Sequence, residues 1–182
     1  MTSAWPTEQP VIAGDGVALR PWRTTDADAV FRACQDQAIQ HFTRVPVPYR
    51  RDHAEFFVAQ GPRRWTSREG VSFAVVHGGS DDVVGSCGLV EVDAAAAEGV
   101  AGYWVGPWAR GRGVASAALV LLTRWALGEG GLTRLTLEVE EANPASAAVA
   151  VAAGFRRIGP AVAEEMKGTE RQFLTYERLR TP

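Results

Sequence analysis

GYWVGPWARGRGVASAALVLLTRWAL, from Gly102 to Leu127, is the stretch whose reading decides the fold. Tyr103, Trp104 and Val105 are aromatic or β-branched and suit a strand, which Gly106-Pro107 ends. Further on, Ala115, Ala118, Leu119, Leu122, Trp125 and Ala126 recur at helical spacing and give one apolar face. Between strand and helix lies Arg110-Gly111-Arg112-Gly113. Glycines lack Cβ, so their backbone N–H groups can approach a ligand closely. They also open a helix, whose first N–H groups are unpaired and whose dipole favours an anion. With two arginines beside them, the turn fits a polyphosphate.

Other phosphate loops fit less well. No Gly-Lys-Ser/Thr follows, as a Walker loop requires, and a dinucleotide fingerprint would need a third glycine at a fixed offset. The pattern that does fit is R-x-x-G-x-A: Arg110, Gly113 and Ala115. It resembles the coenzyme A pyrophosphate signature of the GNAT superfamily of N-acetyltransferases. GYW before the turn, a strand over 132–139, Asn143-Pro144-Ala145-Ser146 and Ala153-Gly154-Phe155 extend the resemblance to the branch that acetylates ribosomal-protein N-termini.

The resemblance implies a mixed, mostly antiparallel sheet of about six to seven strands, splayed at its centre and flanked by about four helices. Acetyl-CoA is then the co-substrate. Its pyrophosphate lies on the backbone of Gly111, Arg112, Gly113, Val114, Ala115 and Ser116, with Arg110 adding a side-chain contact. Its pantetheine arm pairs with the backbone of Trp104 and Val105, as an added strand would, and Asn143 and Ser146 flank the arm. No metal is implied.

Composition agrees with this and adds bounds. A chain of 182 residues is long enough for one domain that buries roughly 70% of its unfolded surface. The apolar fraction of 46% and charged fraction of 22% are ordinary for a globular protein. A net charge of −2 gives no argument for nucleic acid or an anionic membrane. Cys34 and Cys87 form no C-x-x-C pair and read as buried reduced thiols. The start, MTSAWPTEQP, has neither a basic n-region nor an apolar h-region, so a cytoplasmic protein, monomer or homodimer, is expected.

Outward from the central stretch, residues 1–14 read as a loose arm and 15–182 as one acetyltransferase domain. Residues 17–22 form a first strand, and 26–36 a helix with Asp26 and Asp28 in its favoured first turn. Pro46 and Pro48 make 41–49 a loop. Asp52 and Glu55 cap a short helix that Gly61-Pro62 ends. Residues 71–77 and 83–92 form a hairpin around Gly78-Gly79.

Acetyl transfer to an amine needs a positioned acyl donor, a neutral amine, an acceptor for the amine's proton and a donor toward the leaving group. Ser146 is the candidate donor; its other reading is a helix cap, with Asn143 in the turn. For the base, related sequences often place a glutamate three residues before the tyrosine of GYW, where this chain has Val100. Glu98, two residues earlier on the same strand face, and Glu165, nineteen residues beyond Ser146, are the two candidates. Each also reads as a solvated charge. Phe42, Trp65 and Trp22 are candidates for an acceptor wall, although such aromatics are more often core, and Tyr176 for its border. The resemblance favours a protein or peptide α-amine as acceptor. A small-molecule amine, or a weakly catalytic acyl-CoA-binding module, stays open.

Overall fold

The computed structural model describes residues 5–181. Its strands are β1 (Ile12–Ala13), β2 (Val17–Arg20), β3 (Val71–His77), β4 (Val83–Asp93), β5 (Glu98–Val105), β6 (Arg134–Glu140), β7 (Arg156–Met166) and β8 (Thr169–Leu179). Its helices are α1 (Ala27–Ala33), α2 (Gln37–Phe42), α3 (Arg51–Ala59), α4 (Gly61–Ser67), α5 (Val114–Leu127) and α6 (Pro144–Ala152). The strands form one sheet in the order β1-β2-β3-β4-β5-β6-β8-β7. Every neighbouring pair is antiparallel except β5–β6. A parallel pair needs a crossover, and α5 supplies it. The mixed, mostly antiparallel architecture expected from the sequence is therefore present, with more strands and helices than anticipated.

Two apolar layers sandwich the sheet. On one face α5 buries Ala118, Leu119, Leu122 and Ala126 against Leu89, Leu135 and Leu137. On the other, Val30, Ala33, Ala54 and Val58 of α1 and α3 cover Ala74, Val76 and Val83. Alternation along each strand assigns residues to these faces. On β5, Ala101 and Tyr103 look toward the α5 layer, and Trp104 toward the α1–α3 layer.

Several local expectations change. The helix anticipated over 26–36 is a 3₁₀ turn (Thr24–Asp26) followed by α1, and α2 occupies part of the stretch read as loop. The short helix α3 ends just before Gly61-Pro62, as expected, and the same pair also starts α4: proline sits in its first turn, where its missing N–H costs nothing. The arm over 5–14 is not loose. Trp5 is buried, with its ring 5.0 Å from Trp65 and 5.2 Å from Trp125, and β1 pairs with β2. Residues 1–4 lie outside the described residues. Cys34 and Cys87 are buried and free, and burial pushes their thiols up to about 11 and about 12.

Asp26 is not a solvated first-turn charge. It is 6% exposed and bridges the Arg20 guanidinium through bonds of 2.7 and 2.9 Å. Its carboxylate also accepts from the Arg23 N–H at 2.7 Å. Arg20 itself is 4% exposed and its other carboxylate contact is longer, Nε–Oδ1 3.4 Å, to the exposed Asp81, so removing Asp26 leaves a buried charge under-paired. Asp26→Ala is expected to cost about 3–5 kcal/mol of stability, read from urea unfolding, against well under ~1 kcal/mol for the exposed Asp28→Ala.

Candidate active site

The glycine turn has the geometry its sequence suggests. After β5 a 3₁₀ turn (Pro107–Ala109) leads into Arg110, and Gly111 and Gly113 take φ values of +74° and +73°. No atom lies within 4 Å of where a Cβ would stand at either glycine, so the turn presents open backbone rather than packed surface. Gly113 is the N-cap of α5 and offers no side-chain acceptor to the helix. The first α5 bond to the cap runs from the Ala117 N–H. The N–H groups of Val114, Ala115 and Ser116 thus have no partner among the described residues, at the positive end of a fourteen-residue helix. Arg112 is exposed beside them. These residues fit a pyrophosphate.

Arg110 is occupied differently. Its guanidinium forks onto Asp36, with Nη2–Oδ1 at 2.6 Å and Nη1–Oδ2 at 3.3 Å, and its Nε donates to the Val105 carbonyl at 3.2 Å. Arg110 holds the Asp36 carboxyl below the usual carboxylate range. The sign follows: stability from this pair is present above the unfolded Asp value near ~4 and is lost as pH falls through the depressed folded value.

Next to the turn the sheet opens. The β5–β6 pairing ends at Ala101↔Leu137, while β5 stays paired to β4 as far as Val105↔Gly85. From Gly102 to Val105 the edge toward β6 has no strand partner among the described residues. Trp104 and Val105 lie on that edge, where an extended arm can pair with backbone.

The two walls of this gap carry different chemistry. On the α5 face, the Tyr103 hydroxyl lies 2.8 Å from that of Ser146. Asn143 caps α6, its Oδ1 accepting from the Ser146 N–H at 3.1 Å. The cap is therefore Asn143, and the Ser146 hydroxyl, paired with Tyr103, takes no part in capping. Burial pushes the Tyr103 phenol up to about 12, so it keeps its proton at neutral pH.

On the opposite face stands Glu138, which the sequence reading did not single out. It is the first β6 residue past the last β5–β6 pair. Leu137 and Val139 point into the α5 layer, so Glu138 shares its face with Trp104. Burial raises its carboxyl, nearby Glu164 and Glu91 raise it further, and Arg44, with Nη2 at 3.8 Å, offsets part of the rise. An exposed carboxylate, 40% accessible, whose proton affinity is raised beside an open cleft is a candidate base.

The other candidates are placed as follows. Glu98 sits at the far end of β5, bonded to Arg134 at 2.9 Å, and Arg134 also binds Glu177. Five residue steps along the strand, roughly 16 Å, separate it from Tyr103. Glu165 is exposed and follows Glu164, whose carboxylate lies 4.0 Å from Arg44 on the Glu138 side, so alternation turns Glu165 to the other face. Neither joins the Ser146–Tyr103 group. Trp65 and Tyr176 are buried in the α5 layer and cannot form an acceptor wall. Trp22 is also buried and stacks toward Trp104, with its Nε1 donating to Ser72 at 2.9 Å. Phe42 ends α2, against His41. No group of three His, Cys, Asp or Glu among the described residues is arranged to hold a metal, and no helix there is long and apolar enough to cross a membrane.

Comparison with known proteins bears on this geometry. No curated protein matches the chain. Among solved structures, RimL, a ribosomal L7/L12 alpha-N-protein acetyltransferase in complex with coenzyme A, is 18% identical over 93% of this chain and 98% of its own, with a TM-score of 0.84. Mycobacterium smegmatis RimJ in complex with CoA-disulfide is 24% identical over 94% and 86%, with a TM-score of 0.77. The microcin C7 self-immunity acetyltransferase MccE, in complex with acetyl-CoA and AMP, is 18% identical over 91% and 93%, with a TM-score of 0.81. At these identities the likeness is one of fold. The model of the acetyltransferase (GNAT) domain matches residues 17–156, most of the chain and all of the splayed gap and its turn, and the protein belongs to the GNAT family of acetyltransferases.

Proposed function

We propose that this enzyme transfers an acetyl group to the α-amine of a protein or peptide N-terminus. The observation that carries the reading is the gap beyond Ala101↔Leu137, with a hydroxyl pair on one wall and Glu138 on the other. The resemblance to RimL and RimJ supports an N-terminal acceptor. Acetyl-CoA, when bound, supplies an activated acyl group on sulfur. The backbone of residues 111–116 would hold its pyrophosphate, and the open edge at Trp104 and Val105 would hold its arm.

The chain's own residues then have separate tasks. A peptide α-amine has a pKa of roughly 8, so a fraction is neutral near pH 7. The proton that becomes acidic as the amine attacks must leave, and Glu138 accepts it, directly or through one water. Its raised proton affinity brings it nearer the pH at which it works. On the other wall the two hydroxyls are bonded in a pair in which either can donate; with the protonated Tyr103 phenol as donor, the serine proton is free to point at the departing sulfur. That bond helps only if it strengthens as charge develops. Glu138 takes the base role assigned from sequence to Glu98 or Glu165.

Ser146→Ala is expected to bind acetyl-CoA normally and to lose about tenfold in kcat, the equivalent of one hydrogen bond of roughly 1.5 kcal/mol. The acceptor is tested by following free-thiol release from acetyl-CoA with peptides that differ in their first residue, polyamines and an aminoacyl nucleotide. Rapid turnover with peptides supports the proposal. Turnover with polyamines alone overturns it. The likeness to MccE, whose structure holds AMP, gives the nucleotide-linked amine its place as the second reading.

A further inference from the structure

The segment 36–44 runs as a strap between parts of the enzyme that are far apart in sequence. Its helix, α2, is six residues long, too short to be stable alone. It is fixed at both ends. At the N-terminal end Asp36 caps it, Oδ1 accepting from the Ile39 N–H at 3.0 Å, and the same carboxylate forks onto Arg110. At the C-terminal end the His41 carbonyl accepts from Arg171 at 2.8 Å, and the Gln40 carbonyl accepts from Lys167. Arg171 is itself bonded to Glu140 of β6 at 3.0 Å, both side chains nearly buried. Just past the helix, Arg44 reaches Glu138 and Glu164. One end is thus tied to the turn that follows β5, and the other to β6 and the β7–β8 hairpin. Between these anchors the strap crosses the acceptor side of the gap.

The two anchors differ in kind. The C-terminal anchor is a side-chain pair set in the sheet. The N-terminal anchor is Arg110, whose backbone leads into Gly111 and Gly113, the two most permissive residues of the site. Arg110 can therefore hold Asp36 firmly only when the turn is itself fixed. A pyrophosphate on the backbone of 111–116 would fix it.

We propose that Asp36 is a positioning residue that couples the acceptor strap to the cofactor turn through Arg110, so that filling the turn orders α2 over the gap. Arg110 accordingly serves the strap more than the pyrophosphate. The coupling rests on the cofactor reading given above. By linkage, an acceptor that needs the ordered strap binds better once the turn is filled.

Asparagine caps a helix as well as aspartate and keeps Oδ1, but it carries no charge and puts an NH2 group where Oδ2 accepts from Arg110, so Asp36→Asn keeps the cap, removes one arm of the fork and weakens the other. The test is amide hydrogen exchange of the purified full chain, with and without saturating coenzyme A. Residues 111–117 report whether the turn is filled, and 37–42 report the strap. In the wild type, coenzyme A is expected to slow exchange in both segments, by about tenfold in the strap. In Asp36→Asn the turn stays protected and coenzyme A affinity stays within about threefold, and in both Asp36→Asn and Arg110→Gln the strap effect falls below about twofold. A filled turn with an unchanged strap in the wild type overturns the coupling. Full strap protection in both variants overturns the role of Asp36. No protection at the turn in the wild type would overturn the cofactor reading, and the coupling with it.

Discussion

Gly113→Val should weaken acetyl-CoA binding roughly a hundredfold while leaving a folded protein. Gly113 sits at φ +73°, where an L side chain is strained and a β-branched one most of all, by about 1–3 kcal/mol. The space around its missing Cβ is open, so nothing in the fold itself is displaced by the new side chain. The backbone escapes the strain by leaving the positive-φ region, and that turns the N–H groups of Val114 to Ser116 away from a common point. An anion that relies on several convergent donors loses them together. Calorimetry of acetyl-CoA binding, beside a thermal melt, checks this. Gly111→Ala should show the same direction with a smaller loss, because alanine tolerates positive φ better than valine.

Glu138→Gln should lower turnover about a hundredfold or more near pH 6.5, with acetyl-CoA affinity unchanged. Glutamine has nearly the same shape, so the substitution tests proton acceptance alone. The residue lies on the sheet face opposite Ser146, and its carboxyl has no hydrogen bond among the described residues, only the Arg44 contact at 3.8 Å. Its raised proton affinity means that the wild-type rate falls on the acid side at a higher pH than an ordinary glutamate would give. Glu165→Gln and Glu98→Gln should keep most of their turnover. The second of these loses an ion pair with Arg134 instead, a change in stability at the far end of β5.

Much of this was legible in the sequence, for local reasons. Residues 71–77 read as a strand and are β3; the period of Ala118, Leu119, Leu122 and Ala126 marks α5; and glycines 111 and 113 mark a positive-φ turn. What the sequence did not show depends on distant contacts. Trp5 looks like part of a polar arm until Trp65 and Trp125 are brought beside it. Trp65 reads as either a cleft aromatic or a core residue on its short segment, and α4 turns it into the core. Glu138 lies in the alternating run LTLEVE, where it is indistinguishable from any solvent-facing strand residue. It acquires a role only because the sheet parts beside it, and parting is a property of two strands. Tyr103 and Ser146 meet across 43 positions of sequence for the same reason. Spacing found the serine but not its partner. Asp36 reads as a helix end, and its bond to Arg110 spans 74 positions.

The division of labour between the two walls has one direct test, the pH dependence of acetyl transfer in single turnovers, with acetyl-CoA saturating and a peptide that the wild type acetylates. Wild type, Ser146→Ala and Glu138→Gln are compared from pH 6 to pH 9. The deficit of Glu138→Gln should shrink as pH rises, because more of the amine is already neutral and bulk base competes with the missing carboxylate. The deficit of Ser146→Ala should stay constant, since the leaving sulfur needs its donor at every pH. Deficits that run parallel for both variants, or a pH-dependent deficit that appears in Glu165→Gln and not in Glu138→Gln, would contradict the assignment of the base to β6.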